Sequence, residues 1–107
     1  SERHPLAATD FYGVLDTSDL PGGVVNIVTG PRAALADVLA GHDDVDAVWC
    51  FGAPDLVASV ERLSAGNMKQ TWTDMHRRDW FDADQGAGRA FLRHATQVKN
   101  IWIPYGA

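Results

Sequence analysis

Apolar residues recur along this chain with two different spacings, and the spacings divide it into short elements. Where they recur every three or four positions they predict amphipathic helices, and where they run together with β-branched residues they predict buried strands. Prolines and glycines mark the boundaries between these stretches. The predicted helices span residues 5–16, 31–39 and 54–65, and the predicted strands span residues 24–28, 46–51 and 68–75.

The order of these elements, helix and strand in alternation with short connections, favours an α/β fold. Such an order predicts a small, doubly wound parallel sheet with right-handed crossovers. The strand at 46–51 is apolar almost throughout, as expected for a strand that is buried on both faces. We therefore expect one small α/β domain over residues 1–75.

The remainder of the chain follows a different pattern. Residues 76–93 are mostly polar, and we interpret them as a linker whose Trp80 and Phe81 cover the sheet. With its adjacent arginines and its tryptophan, the same stretch is also consistent with a loop that contacts a partner. Residues 94–107 form a tail in which 98–103 predict a last strand, ended by Pro104.

Composition excludes several classes of function. Nine lysines and arginines against fourteen aspartates and glutamates give a net charge of −5, and the basic residues are scattered, so we expect no nucleic-acid partner. No apolar run approaches the ~20 residues that cross a bilayer and no signal-peptide pattern is present, so we expect no membrane span and a cytoplasmic location. The single cysteine rules out an internal disulfide.

Two glycines lie where a parallel sheet places its ligands, at the carboxyl ends of strands. Gly30 follows the predicted strand 24–28, and Gly52 follows the strand 46–51 directly before a helix that begins at Ala53-Pro54. Backbone amides at the start of that helix are suited to a phosphate, and a glycine there lets the ligand approach closely. The same sequence is equally typical of a plain tight turn between strand and helix.

Two further side chains carry chemistry that a site could use. Asp74 lies near the end of the strand 68–75, where a carboxylate is typical of a solvated or capping position. Cys50 lies inside an apolar strand, with no neighbouring histidine or helix start to lower its pKa, and this predicts a buried structural thiol. The four histidines are widely separated and lack ligand spacing, so we expect no metal site.

Several stretches of the chain resemble parts of one enzyme family. Residues 20–30 read Leu-Pro-Gly-Gly-Val-Val-Asn-Ile-Val-Thr-Gly, residues 42–48 read His-Asp-Asp-Val-Asp-Ala-Val, and Phe51-Gly52 follows. These resemble the dinucleotide-binding core of the aldehyde dehydrogenases. Residues 96–106, Thr-Gln-Val-Lys-Asn-Ile-Trp-Ile-Pro-Tyr-Gly, resemble that family's C-terminal tail, above all in the branch where two modules share one chain and the second is degenerate.

In this family a catalytic domain with a nucleophilic cysteine lies between the two stretches, whereas here only residues 76–93 separate them. The resemblance therefore implies a degenerate or truncated module, the Rossmann-like half of an aldehyde dehydrogenase followed by an oligomerisation strand. Asp74 falls at the family's general-base position, without the thiol that such a base activates. The chain opens on serine, which is consistent with a removed initiator methionine or with a cut from a larger protein.

The resemblance also implies NAD as the cofactor and assigns residues to it. Glu2 matches the family's ribose-binding glutamate, and Gly30 matches the glycine beside the adenosine. Gly52 matches the turn beside the pyrophosphate, but Ala53 stands where the family has a serine hydroxyl and Phe51 where it has a threonine. Because those donors are lost, we expect NAD binding to be weak or absent.

The tail is expected to bind another protein chain. In the family this strand extends the sheet of a neighbouring subunit, and strand addition gains affinity from main-chain hydrogen bonds. The partner is a second copy of the chain or a subunit of the parent enzyme. The expected interface residues are Val98, Asn100, Ile101, Trp102 and Ile103.

Three hypotheses about function remain open at this point. The first is an inert aldehyde dehydrogenase module without the catalytic cysteine, acting in assembly or regulation. The second is a fragment of an active NAD-dependent enzyme that oxidises an aldehyde to a carboxylic acid. The third is a nucleotide-binding module without catalysis.

Overall fold

A computed structural model of the chain describes residues 2–106. Its helices are α1 (Pro5–Thr9), α2 (Tyr12–Asp16), α3 (Arg32–Gly41), α4 (Pro54–Ser64), α5 (Ala83–Gly86) and α6 (Arg89–His94), with a 3₁₀ turn over Ala65–Asn67 after α4. Its strands are β1 (Ala47–Phe51) and β2 (Gln70–Asp74). The two strands pair in parallel, with Trp49 opposite Trp72 and Phe51 opposite Asp74.

Helix α4 connects the two parallel strands and packs on one face of their sheet, beside α3. Pro54 starts α4 in a position where its missing amide hydrogen costs nothing. The apolar side chains of α4 and α3 then meet the inward residues of β1. The core formed in this way contains Ala40, Cys50, Val57 and Val60, all less than a tenth exposed.

Aromatic side chains cover the opposite face of the sheet. Trp49 and Trp72 pack edge to face across the two strands with ring centroids 5.1 Å apart. Phe91 of α6 contacts both indoles, at 5.8 and 4.8 Å, and Trp80 packs edge to face on Phe51 at 5.5 Å. Since the alternate residues of each strand point to opposite faces, the sheet separates this aromatic layer from the aliphatic core.

Asn67 and Lys69 fasten the start of β2 to the loop that leaves α3. The Asn67 side-chain amide donates to the carbonyl of Asp43 at 2.7 Å, and the buried Lys69 ammonium donates to the carbonyls of His42 at 2.6 Å and Leu39 at 3.4 Å. Those carbonyls close the carboxyl end of α3, where a positive charge is favourable. These hydrogen bonds thereby fix the position of the start of β2 relative to the carboxyl end of α3.

The α/β class and the parallel pairing are confirmed, but the predicted strand at 24–28 is wrong. No strand forms there among residues 2–106, and Val24, Val25 and Val28 are 40–71% exposed. A β-branched run becomes a strand only where it packs on a half-buried surface. Here the segment is tied by Tyr12, whose hydroxyl accepts from the Ile27 amide at 2.8 Å and donates to the Ile27 carbonyl at 3.2 Å.

Two other predicted elements differ from the structure. The segment 5–16, predicted as one helix, forms two short helices, α1 and α2, which are separated by residues 10–11. Helices of this length need tertiary packing, and neither α1 nor α2 contains a buried residue. The strand predicted over 98–103 does not form within the described chain, because the segment has not folded back onto the sheet.

The described chain is elongated for its size. Its radius of gyration is 16.8 Å, against roughly 13 Å for a compact domain of about 100 residues. In the amino-terminal segment and the tail, the large apolar side chains are mostly exposed. The packed part of the molecule runs from α3 to α6.

Candidate functional site

The carboxyl ends of β1 and β2 lie side by side and open into a cavity of about 880 Å³. Phe51 and Asp74 are opposite one another in the register, and the Gly52 amide donates to the Asp74 carbonyl at 3.0 Å. This is the edge where parallel sheets bind their ligands. The cavity is lined by Phe51, Gly52, Ala53, Met75, His76, Arg77, Arg78, Asp79, Trp80, Phe81 and Gln85.

Arg32, the first residue of α3, lies over the turn at Gly52. Its guanidinium donates to the carbonyl of Phe51. A methyl group added at Gly52 would lie 2.9 Å from Arg32 Nη2 and 3.2 Å from Leu56 Cδ2. The space that is left by the missing side chain of Gly52 is therefore filled by the side chain of Arg32.

Glu2 and Gly30 also lie close to Arg32. The Glu2 carboxylate accepts a hydrogen bond from the backbone amide of Arg32, at the electropositive start of α3. A second cavity, of about 640 Å³, is bordered by Glu2, Gly30, Arg32 and Cys50. Three of the four predicted cofactor residues, Glu2, Gly30 and Gly52, are thus grouped around Arg32, and Ala53 lines the first cavity.

As arranged, these residues do not fit a dinucleotide. The Gly52 amide is committed to the Asp74 carbonyl, and the space over Gly52 is taken by the Arg32 guanidinium. Glu2 is used by the α3 amide, and Ala53 offers no hydroxyl to a phosphate. The position that the sequence predicts for NAD is filled by the protein itself.

Asp74 is held as an anion by its neighbours. Its carboxylate accepts from the backbone amide of His76 at 2.8 Å, lies 3.1 Å from His76 Nδ1, and accepts from Arg78 Nε at 3.0 Å. The His76 amide bond, aided by the His76 and Arg78 side chains, lowers the pKa of Asp74 below its ordinary value. A carboxylate held in this way is a weak base.

Cys50 does not approach Asp74 as a nucleophile would. Its side chain faces the core between α3 and α4 and is 6% exposed. Burial raises the pKa of the thiol, and Arg32 opposes that rise only in part. The predicted buried thiol is confirmed, and at neutral pH it carries its proton.

Arg78 is a residue of this site that the sequence pattern did not identify. Its guanidinium carbon lies 4.5 Å from the centre of the Phe51 ring and 5.0 Å from that of Trp72. Nη1 of the same group donates to the Gln85 carbonyl at 3.0 Å. The segment predicted as a linker is therefore anchored to the sheet by a cation over aromatic rings. The only sequence signal was the pair of arginines amid aromatic residues.

The tail lies away from both cavities. Val98 is 91% exposed, Trp102 is 93% exposed, and Ile101 and Ile103 are 82% and 76% exposed. Asn100, the remaining predicted interface residue, is exposed as well. The structure thus leaves the whole predicted interface accessible.

No group of three or more histidine, cysteine, aspartate or glutamate side chains converges on a point that would hold a metal ion within residues 2–106. In the same range no helix has the length and apolar character needed to span a bilayer.

The known proteins that match this chain belong to one enzyme family. The sequence profile of the aldehyde dehydrogenase family matches residues 1–76. The betaine aldehyde dehydrogenase of Bacillus subtilis is 33% identical over 92% of this chain and 22% of its own length. The NADP/NAD-dependent aldehyde dehydrogenase PuuC of Escherichia coli is 34% identical over 69% of this chain and 15% of its own.

Coverage of the relatives is short. The 1-pyrroline-5-carboxylate dehydrogenase 1 of Halalkalibacterium halodurans is 29% identical over 78% of this chain and 17% of its own length, so the chain spans about a fifth or less of each relative. No solved structure matches significantly. The profile match covers the α/β part of the chain, including both strands and the Gly52 turn. The chain belongs to the aldehyde dehydrogenase family.

Proposed function

We propose that this chain is a catalytically inert aldehyde dehydrogenase module that acts in the assembly or regulation of a larger enzyme, in the cytoplasm. The observation that carries the proposal is the exposure of the tail. Four large apolar side chains, Val98, Ile101, Trp102 and Ile103, are at least three-quarters exposed within six residues. Clusters of this kind mark surfaces that bind other proteins.

The chemistry of the described residues supports inertness. Aldehyde oxidation in this family needs a thiolate nucleophile and a base, and the single thiol, Cys50, is buried and protonated. The carboxylate at the base position, Asp74, is engaged by His76 and Arg78. Neither group is arranged to attack or to activate an aldehyde.

The tail is suited to strand addition. Residues 98–103 are exposed and outside the sheet, so their backbone groups are accessible to the sheet edge of another chain. Val98 and Trp102 alternate with Ile101 and Ile103, which would give each face of the added strand apolar contacts. We propose a second copy of the chain, or a subunit of the parent enzyme, as the partner.

Light scattering coupled to size-exclusion chromatography tests the proposal. The purified chain, alone and mixed with a full-length aldehyde dehydrogenase from the same source, should elute above its monomer mass in at least one case. Ile101→Asp should abolish that association. Leu6→Asp, at another exposed apolar residue (72%), is the matched control and should leave it intact. A monomer in both samples, or an equal effect of the two variants, would contradict the assembly role.

A fragment of an active NAD-dependent enzyme is the second candidate. It is supported by the match of the family's sequence profile to residues 1–76. It predicts that the remaining parts of the enzyme, supplied on another chain, restore NAD-dependent aldehyde oxidation to the mixture. NADH formation at 340 nm, in the mixture but with neither part alone, would favour this candidate over the inert module.

A nucleotide-binding module without catalysis is the third candidate. It requires the Gly52 turn and Glu2 to hold a dinucleotide without the hydroxyl missing at Ala53. Saturable binding of NAD⁺ in the micromolar range by the purified chain, followed through tryptophan fluorescence and calorimetry, would support it. Absence of detectable binding at millimolar NAD⁺ would exclude this candidate.

A further inference from the structure

One side chain joins three separate parts of the molecule at the expected cofactor position. The Arg32 guanidinium bonds to the last carbonyl of β1, and the Arg32 amide receives the carboxylate of Glu2. The same residue begins α3. Arg32 therefore ties the amino-terminal segment, a helix and the turn at Gly52 together from the place where a dinucleotide would do so.

The Arg32 guanidinium fills the space directly over the Cα atom of Gly52. Even a methyl group on Gly52 would meet Arg32 Nη2 at 2.9 Å and Arg32 Cζ at 3.2 Å. Real carbon contacts are rarely that short, because close-packed atoms repel steeply below their optimal separation. A phosphate group in this space would have to displace the guanidinium, which is the far end of a flexible side chain.

The surrounding groups favour the closed state. The Gly52 amide, which would face a phosphate, donates to the Asp74 carbonyl. Asp55 adds a negative charge in the first turn of α4, where it repels a second anion. Displacing Arg32 would also deprive the Phe51 carbonyl of its guanidinium donor.

We propose that Arg32 is an internal occupant of the dinucleotide position and one of the groups that oppose nucleotide binding in this chain. The guanidinium contributes to folding stability the connection that a bound cofactor would otherwise make. This inference is independent of the proposed assembly role, since it concerns the Gly52 turn and not the tail.

A double-mutant cycle in thermal unfolding tests the occupancy. Gly52→Ala alone should lower the melting temperature by no more than about 4 °C, because the new methyl group displaces only the far end of the Arg32 side chain from the Phe51 carbonyl. In the Arg32→Ala background the same substitution should cost less than half of that shift, since residues in contact couple. Arg3→Ala, which removes another arginine bordering the same cavity, is the matched control and should leave the full Gly52→Ala effect.

Calorimetric titration with NAD⁺ tests the consequence for binding. Arg32→Ala should bind NAD⁺ at least tenfold more tightly than the unsubstituted chain, and Arg3→Ala should bind no more tightly than it. Absence of coupling in the cycle overturns the inference, and so does equal, weaker or undetectable binding by Arg32→Ala. Ile101→Asp should leave the titration unchanged, so a failure of the assembly role is recognised separately by light scattering.

Discussion

The imidazole of His94 stacks on the indole of Trp72, with ring centroids 4.0 Å apart and planes inclined by only 11°. His94 is the last residue of α6, and Trp72 is the central residue of β2. Among the described residues, His94 Nδ1 is buried without a hydrogen-bond partner. The stack, together with Phe91, therefore fixes the last helix to the sheet through ring contacts rather than polar bonds.

Removal of this stack should loosen α6. We expect His94→Ala to lower the free energy of unfolding by about 0.5–1.5 kcal/mol, the usual worth of an aromatic pair. His94→Phe keeps a ring and removes the buried nitrogen, so it should be neutral or stabilising. Urea unfolding measures both, with Leu92→Ala, at a 70% exposed residue of the same helix, as the control. Equal losses for His94→Ala and His94→Phe would contradict a role for stacking.

Asp74 should make stability depend on pH in the acid range. Its pKa is lowered in the folded state, so its contribution is fully present above the unfolded value of about 3.9 and is lost as pH falls through the folded pKa. We expect Asp74→Asn to lower the melting temperature at pH 7 and to match the unsubstituted chain once the pH is below the lowered pKa of Asp74, where the carboxyl is protonated in both states. Melting curves across that range test this, with Asp16→Asn as a control for the loss of one charge. A constant difference at every pH would argue against the assignment.

Lys69 should be among the most sensitive positions outside the core. Lys69→Met preserves the apolar stem but leaves the His42 and Leu39 carbonyls without their buried donor. The expected loss is about 1–3 kcal/mol in the free energy of unfolding. Lys99→Met, in the exposed tail, should change it by less than about 0.5 kcal/mol. A comparable loss at both lysines would show that charge rather than the α3 contact is responsible.

Met68 offers a stabilising substitution. Its backbone is left-handed, with φ of 54°, and its side chain is 90% exposed, so it contributes strain and little packing. Met68→Gly should raise the free energy of unfolding by about 0.5–1 kcal/mol, because glycine adopts this conformation without a Cβ clash. Met75→Gly, at an exposed methionine outside the left-handed region, should do the opposite. Chemical denaturation of the two variants decides between strain relief and a general effect of glycine.

The elements that were predicted well are those whose packing is local. The helix expected at 54–65 is α4, and the strands expected at 46–51 and 68–75 are β1 and β2 with trimmed ends. Each carries its own evidence in sequence, a proline start or an apolar run, and each contacts the next element along the chain. The strand expected at 24–28 carries equally good local evidence. It failed because a strand also needs a partner edge, which no pattern within the segment supplies.

The sequence predicts where the site lies, but it does not predict that a side chain of the protein itself occupies the site. The sequence indicated Gly52, Gly30 and Glu2 as neighbours of one ligand position, and the structure does group them around one residue. That residue, Arg32, belongs to no motif, because its role depends on how far its side chain reaches from α3 to the end of β1. The role of Arg78 likewise depends on the reach of its side chain, which places the guanidinium over the rings of Phe51 and Trp72. The spacing of apolar residues does not reveal a contact that a long polar side chain makes with another element.

The bond between the Gly52 amide and the Asp74 carbonyl extends the ladder one step beyond the strands. It makes the two loops at the mouth of the larger cavity a single mechanical unit, since a displacement of either loop must stretch this bond. Opening of the cavity would then require the loops after β1 and β2 to move together rather than one at a time. The hydrogen bond thereby transmits a movement of one loop to the other.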